Sequence, residues 1–432
     1  MARERRASEI TLTHIAPTFT SVALTSILPF SNDCFSANSY DNLQWYSWWV
    51  HQEVQAQPKE LFSTISAGDS ESDVRWTKGF GRVWQETARF LTMNKSGSID
   101  EVIAHLIQNG CIQSTSDPNS HLTMNSLVFA ILGWQTMLYQ PDIRSCPFSQ
   151  LAIRCQMGLH QGQCHMSLKQ GQSACKKSMH EFLLGYGMLL PPRQFCVPET
   201  AEEKEAFKRQ TTVSPESFNA YFLTVFGGIN ITWVDSLPCH LEFDSDSNTL
   251  FLFRYPSYCL MNLESNGGSS QTHKSVLHAC AISSATSTQW ATQEEITQLL
   301  KETILSFRLL FGQNRASRKL YASLEPFKNI PNQGIDPFLT SICAQKRLRT
   351  SVGLSERDSY ELHRDFPILR SRLSILTTHL SSKKPRTWRE HWLDKRDSAS
   401  WLTFWAVIII GGMGIILAFL QVILQIIQIA KS

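Results

Sequence analysis

Residues 401–430 carry no charged side chain, and this run constrains the chain more than any other feature. Its first twenty residues, Trp401 to Leu420, read WLTFWAVIIIGGMGIILAFL. A helix of about 20 apolar residues crosses a hydrocarbon core of ~30 Å. The segment is therefore expected to be a single transmembrane helix over 401–424, tilted to absorb surplus length. Trp401, Phe404 and Trp405 form the expected interfacial belt, because aromatic rings favour the headgroup level. A buried core helix is the competing reading of such a run.

Flanking charge sets the expected orientation. Lys383, Lys384, Arg386, Arg389, Lys395 and Arg396 precede the span, against Glu390, Asp394 and Asp397, and Lys431 follows it. Positive charge stays on the cytosolic side. This predicts a cytosolic bulk and a tail-anchored topology. A signal peptide would reverse that, but the basic start is interrupted by Glu4 and Glu9, and the apolar stretch Val22 to Phe30 is broken by Thr25, Ser26 and Pro29. Residues 343–396 hold thirteen Lys/Arg against six Asp/Glu within a chain of net charge +3. Such a basic collar suits an anionic leaflet, at about 1 kcal/mol per basic residue near the surface. Lys383-Lys384-Pro385-Arg386 could instead be a nuclear signal. Beside a spanning helix the membrane reading is preferred, so the bilayer is the expected partner and nucleic acid is not.

The eleven cysteines bear on the same question. Cys146, Cys155, Cys164, Cys175 and Cys196 cluster with His160, His165 and His180. A structural zinc site would normally show a C-x2-C knuckle, which is absent here. Disulfides would require an oxidising compartment. Reduced thiols in and beside helices are the plainest reading. Asn94-Lys95-Ser96 and Asn230-Ile231-Thr232 are glycosylation sequons, so Asn94 and Asn230 are acceptors only if the bulk is luminal.

The expected fold is mainly α-helical, α+β with a small hairpin near 241–256, plus one C-terminal transmembrane helix. The expected divisions are an N-terminal segment 1–65, a helical region 74–262, a flexible Gly/Ser-rich linker 264–275, a helical region 276–382 and the collar 383–397. Ser98 with Glu101, and Thr292 with Glu295, form capping boxes ahead of apolar faces. Asn109-Gly110 and Gly312 are the expected stops. Leu122 to Tyr139 is read as a core helix, since Asn125 and Gln135 lie within it. Lys177 to Met188 is a third helix candidate, and Tyr360 to Leu380 an amphipathic stretch interrupted by Pro367. Leu241–Phe243 and Thr249–Phe253 flank Asp244-Ser245-Asp246-Ser247-Asn248, which reads as a hairpin turn. The D-x-D of a glycosyltransferase is the sharper reading of Asp244 and Asp246, and turn chemistry is preferred.

No catalytic signature is found: no P-loop, no G-x-S-x-G and no H-E-x-x-H. No cofactor or metal site is expected, and enzymatic activity is left open but disfavoured. The anchor offers more. Gly414 and Ala418 form a small-xxx-small step, and Gln421, Gln425 and Gln428 continue near that stripe. Small residues let helices approach, and side-chain amides hydrogen-bond between them. Self-association, or pairing with another membrane protein, is the expectation. The competing reading puts the glutamines at the far interface.

Three stretches carry a resemblance: LSFRLLFGQ (305–313) with SRKL (317–320), LEFDSDSNTLFLFRYPSYCL (241–260), and the tail WLTFWAV...LQVILQ. In these the chain resembles a group of uncharacterised single-pass membrane proteins from filamentous fungi. The likeness covers only the part from Leu241 onward. It implies a C-terminal anchor and no reaction. Some such proteins resemble products of accessory gene clusters linked to colony morphology or metabolite production. The reading is a membrane-anchored, non-enzymatic scaffold or regulator. The alternatives are a membrane-tethered enzyme of a metabolite pathway and a surface or secretory-side glycoprotein.

Overall fold

The Leu122–Tyr139 stretch lies in the middle of the folded part, in a computed structural model that describes residues 44–66, 73–94, 97–113, 118–154, 169–187, 212–264, 275–281, 291–348, 356–383 and 398–431. The residues 1–43, most of the 264–275 linker and the collar beyond Lys383 lie outside the described residues. In chain order the helices of the first half are α1 (Gln44–Gln55), α2 (Asp73–Met93), α3 (Ile99–Gln108) and α4 (Pro118–Thr136). Strands β1 (Gln150–Ala152) and β2 (Lys169–Gly171), α5 (Met179–Leu184), β3 (Thr212–Val213) and α6 (Ala220–Val225) follow. Next come β4 (Asn230–Val234), β5 (Glu242–Asp244), β6 (Thr249–Phe253), α7 (Pro256–Glu264), α8 (Val276–Ala279) and α9 (Gln293–Phe307). A π-helical turn, Arg308–Gly312, leads to α10 (Arg315–Leu324) and α11 (Pro337–Ala344). The elements β7 (Tyr360–Glu361), α12 (Leu362–Asp365), α13 (Arg370–Ser382) and α14 (Ser398–Lys431) complete the order. The protein is mainly α-helical with small sheets and one long apolar C-terminal helix.

Local chemistry explains the boundaries. The Ser98 hydroxyl accepts from Glu101 N–H at 3.2 Å, and Glu101 Oε2 accepts from Ser98 N–H at 2.8 Å. The same reciprocal pair joins Thr292 and Glu295. Both boxes satisfy helix N–H groups that have no intrahelical acceptor. Gly110, at φ +65°, takes the left-handed turn that closes α3. We expect Ser98→Ala and Thr292→Ala each to lower the stability of the folded part by about 1 kcal/mol. Urea midpoints would check this, and unchanged midpoints would mean that neither cap matters.

α4 is buried on every side from Thr123 to Thr136, as a central helix must be. Two of its amides bond inside the protein: Gln135 Nε2 donates to Trp84 O at 2.8 Å, and Asn125 Nδ2 to Gln172 Oε1 at 2.8 Å. The aromatic knot of α1 packs against it. Tyr46 O–H donates to Trp134 O at 3.1 Å, and Trp45 stacks on Tyr255 with centroids 4.0 Å apart. One continuous core runs from Trp45 to Leu380 and includes residues on both sides of the 264–275 linker.

The hairpin forms as read, with Glu242 opposite Phe251 and Asp244 opposite Thr249. Asp244 serves the turn: its carboxylate accepts from Asp246 N–H at 3.0 Å and from Ser247 O–H at 2.6 Å. The hairpin is also part of something larger. β4 lies parallel to β6, Asn230 opposite Thr249 and Val234 opposite Phe253, giving the order β4-β6-β5.

The helix expected to run to Gly312 changes form at Phe307. From Arg308 it widens into the π turn, closed by Gln313 N–H to Arg308 O at 3.0 Å. Its first residue, Arg308, turns its side chain inward and is fully buried. Two other segments are shorter than expected. Lys177–Met188 forms helix only over Met179–Leu184, and Tyr360–Leu380 divides at Pro367 into α12 and α13.

Candidate functional site

α14 is 34 residues long, and within it Trp405–Ala430 is long and apolar enough to cross a membrane. None of that segment's most apolar window is buried against the rest of the protein. At 1.5 Å per residue its 26 residues reach about 39 Å, more than a ~30 Å hydrocarbon core. Gly414, Ala418, Gln421, Gln425 and Gln428 are all exposed on it. Trp405 is half-buried, while the side chains of Trp401 and Phe404 lie outside what the structure describes. Asn94 and Asn230 are both exposed, Asn94 just after α2 and Asn230 on the edge strand β4.

Inside the folded part, the groups that carry chemistry are committed to structure. His240 Nε2 lies 2.7 Å from Ser306 Oγ, a nucleophile–base contact in outline. The hydrogen bonds run the wrong way for that role. Phe253 N–H donates to His240 Nδ1 at 3.3 Å, so the ring proton sits on Nε2 and is donated to Ser306. The Ser306 O–H donates to Thr303 O at 2.7 Å. Burial, with the nearby Arg372 guanidinium, pushes the His240 pKa down to about 3. The pair is a neutral, inaccessible tie between β6 and α9.

A second cluster has the residue types of a thiol hydrolase. His105 Nε2 lies 3.0 Å from Glu86 Oε2 and 2.9 Å from Asn109 Nδ2, and Cys111 is close by. The Cys111 thiol donates weakly to Asn109 O at 3.8 Å. Burial raises its pKa, the reverse of an activated thiolate.

Other buried charges hold helices in place. The Glu302 carboxylate accepts Leu369 N–H at 2.7 Å and Ile368 N–H at 3.1 Å, satisfying donors at the start of α13. Asp336 caps α11, accepting Phe338 N–H at 2.9 Å, and also accepts Ser257 N–H at 2.9 Å. Its complete burial raises its pKa to about 7, against the pull of those hydrogen bonds. Arg308 Nε donates to Glu356 at 2.6 Å, Nη1 to Ile342 O and Gln345 O at 2.7 Å, and Nη2 to Lys346 O at 3.0 Å. A Cβ at Gly312 would collide with that guanidinium.

One polar cluster is less fully committed. Asp235 follows β4 and Arg254 follows β6, so both stand at the carboxyl ends of the parallel pair, where open sheets commonly bind ligands. They form an ion pair, and the Arg254 guanidinium lies 5.6 Å from the Tyr255 ring centroid. Glu53 of α1 is close enough to feel Asp235, Arg154 and Arg144, and burial raises its pKa. One Glu53 carboxyl oxygen is buried without a hydrogen-bond partner. Such a carboxyl keeps its proton to higher pH than an ordinary glutamate. Sequence reading singled out none of these residues. The signal was there in Trp233-Val234-Asp235 and Leu252-Phe253-Arg254, two apolar strands each ending in a charge.

Of the five clustered cysteines, Cys155, Cys164 and Cys196 lie outside the described residues, as do His160 and His165. Among the described residues no disulfide joins any of the seven cysteines, and six of them are buried. No group of three or more His, Cys, Asp or Glu side chains among the described residues is placed to hold a metal ion. Comparison of the chain with protein-family models, with curated proteins and with solved structures finds no match in any of the three.

Proposed function

We propose that this chain is a single-pass membrane protein whose folded part is held at the cytosolic face as a scaffold or regulatory module. The observation that carries the reading is the exposure of α14. An apolar helix of this length left bare in water would be an aggregation site, whereas a bilayer covers all of it. The basic residues from Lys383 to Arg396 support the cytosolic side. The commitment of His240, Ser306, Glu302 and Asp336 to internal hydrogen bonds supports a non-enzymatic role. The likeness to fungal single-pass proteins belongs to the same proposal.

The test is fractionation combined with topology. The full chain should stay with membranes through alkaline carbonate, and a chain lacking residues 398–432 should move to the supernatant. An N-terminal tag on sealed microsomes should be digested by added protease, with no glycosidase shift. Release of the full chain by carbonate would refute the anchor. A protected tag with a shift at Asn94 or Asn230 would refute the orientation and favour a secretory-side glycoprotein.

A further inference from the structure

We propose that α14 pairs in parallel with a second copy of itself through one seam, formed by Val407, Gly411, Gly414, Ala418, Gln421, Gln425 and Gln428. This rests on the reading that the helix spans a membrane. The spacing of these residues is four, three, four, three, four, three. That is an uninterrupted heptad alternation, the pattern that keeps one face of a helix turned toward a partner. All three glutamines of the span fall on it, and so do two of its three glycines. The opposite face carries Ile409, Ile416 and Ile423.

Two independent observations say that the seam is meant to be covered. The first is the depth of the amides. The span runs to Ala430, so its midpoint falls between Leu417 and Ala418. Gln421 then lies about 5 Å from the centre and Gln425 about 11 Å, both inside a core of ~15 Å half-thickness. Gln428, about 16 Å out, sits at the boundary. An amide in hydrocarbon must find a hydrogen-bond partner or bear the cost of desolvation. A carbonyl one turn back can take one amide proton, as Tyr258 O does from Asn262 at 2.8 Å. The second proton and the amide oxygen then still lack partners, and the helix has no free N–H to give them.

The second observation is what the glycines lack. A Cβ at Gly79, Gly133, Gly185, Gly227, Gly312 or Gly334 would collide with a neighbour, while Gly110 and Gly228 have positive φ. Gly411, Gly412 and Gly414 have neither reason; a Cβ at any of them would meet nothing within 4 Å, and two of the three lie on the seam. Glycine inside a helix costs about 1 kcal/mol relative to alanine. Close approach of another helix is the reason that remains, and it places the glycines where the partner's backbone comes nearest.

A second copy is the occupant that fits. Copies of one chain insert the same way, so they meet in parallel with identical residues at identical depth. Gln421 then faces Gln421, and Gln425 faces Gln425. Each amide has both donor and acceptor, so the pair satisfies itself. A different membrane protein would need matching polar groups at both depths.

The experiment uses the full chain, carrying donor or acceptor fluorophores at its N-terminus, reconstituted in phosphatidylcholine vesicles. Carbonate resistance is checked first for every variant, so loss of insertion is seen separately from loss of pairing. Energy transfer should exceed that of an unrelated single-pass helix at equal lipid ratio. Q421L/Q425L and G411I/G414I should each weaken association at least about tenfold. I416A/I423A on the opposite face should leave it within about twofold. Inserted chains that show no excess transfer would overturn the proposal. So would transfer that persists in both seam variants, which would assign pairing to the folded part, or transfer lost equally in I416A/I423A.

Discussion

Arg308→Ala should destabilise the folded part by about 4 kcal/mol or more, among the largest effects of any single substitution in the chain. The guanidinium is fully buried and gives hydrogen bonds to four acceptors: Ile342 O in the last turn of α11, Gln345 O and Lys346 O just after it, and the Glu356 carboxylate. Removing it leaves the buried Ile342 O without that donor, leaves the Gln345 and Lys346 carbonyls and the one-third-exposed Glu356 carboxylate to water, and opens a cavity where the side chain packed. A stranded buried group costs about 1–3 kcal/mol and a core cavity about 2–5 kcal/mol. Arg308→Lys keeps the charge, but one ammonium cannot reach the same fan of acceptors. It should lose about 2–3 kcal/mol. Urea unfolding of the full chain in mild detergent reads both values. A loss below about 1 kcal/mol for Arg308→Ala would show that the 342–346 segment does not depend on the arginine.

The second large effect is one of pH, and it involves two buried groups of opposite sign. Folding raises the Asp336 pKa from 3.8 to about 7. The folded state therefore holds a proton that the unfolded state has released, and the associated stability is lost as pH rises from about 4 to 7. Folding lowers the His240 pKa from 6.5 to about 3. That stability is present above 6.5 and is lost as pH falls toward about 3. Between about pH 4 and 6.5 the two slopes cancel, each being about 1.4 kcal/mol per pH unit. Asp336→Asn should expose the histidine limb, so that stability climbs by about 3 kcal/mol across that interval. His240→Gln keeps an acceptor for Phe253 N–H and a donor for Ser306. It should expose the opposite limb, with stability falling by a similar amount. Urea midpoints of both variants between pH 4 and 7, compared with the unaltered chain, decide the matter. Parallel profiles in all three proteins would show that neither group titrates as its burial requires.

What the sequence made legible followed from local rules. Both capping boxes, the Gly110 stop, the Asp244–Asn248 turn and the apolar α14 are each decided within a few residues, and each was readable. β4 was not. Asn230-Ile231-Thr232-Trp233-Val234 is too short to show a period, and its partner is a parallel strand nineteen positions on. The π turn was hidden for a related reason. Arg308 follows a regular helical face, and the carbonyls that its guanidinium meets at the π turn lie far along the chain, at residues 342–346. The most distinctive stretch, FRLLFGQNRASRKL, gains its meaning only there. Its Arg308 and Gly312 serve one guanidinium, Asn314 caps α10, and Ser317 O–H donates to Asn219 at 2.9 Å. These are structural duties. The polar cluster of Glu53, Asp235 and Arg254 was missed because it forms only when α1 meets the ends of two strands that sequence periodicity did not pair.

The buried thiols have a consequence for how this protein breathes. Cys111, Cys175, Cys259, Cys280 and Cys343 are buried in different parts of the main core, and Cys239 in a small cluster with Val234 and Phe251. Burial pushes the Cys175 and Cys280 thiols up to about 12, and those of Cys111, Cys259 and Cys343 upward as well. A thiol reacts as its thiolate, so these sulfurs stay silent while the fold is closed. Each becomes reactive only when its own surroundings open, and regions of one domain open with different free energies. The chain thus carries a native set of exchange clocks, one in each neighbourhood, that run at the rate at which that neighbourhood comes apart.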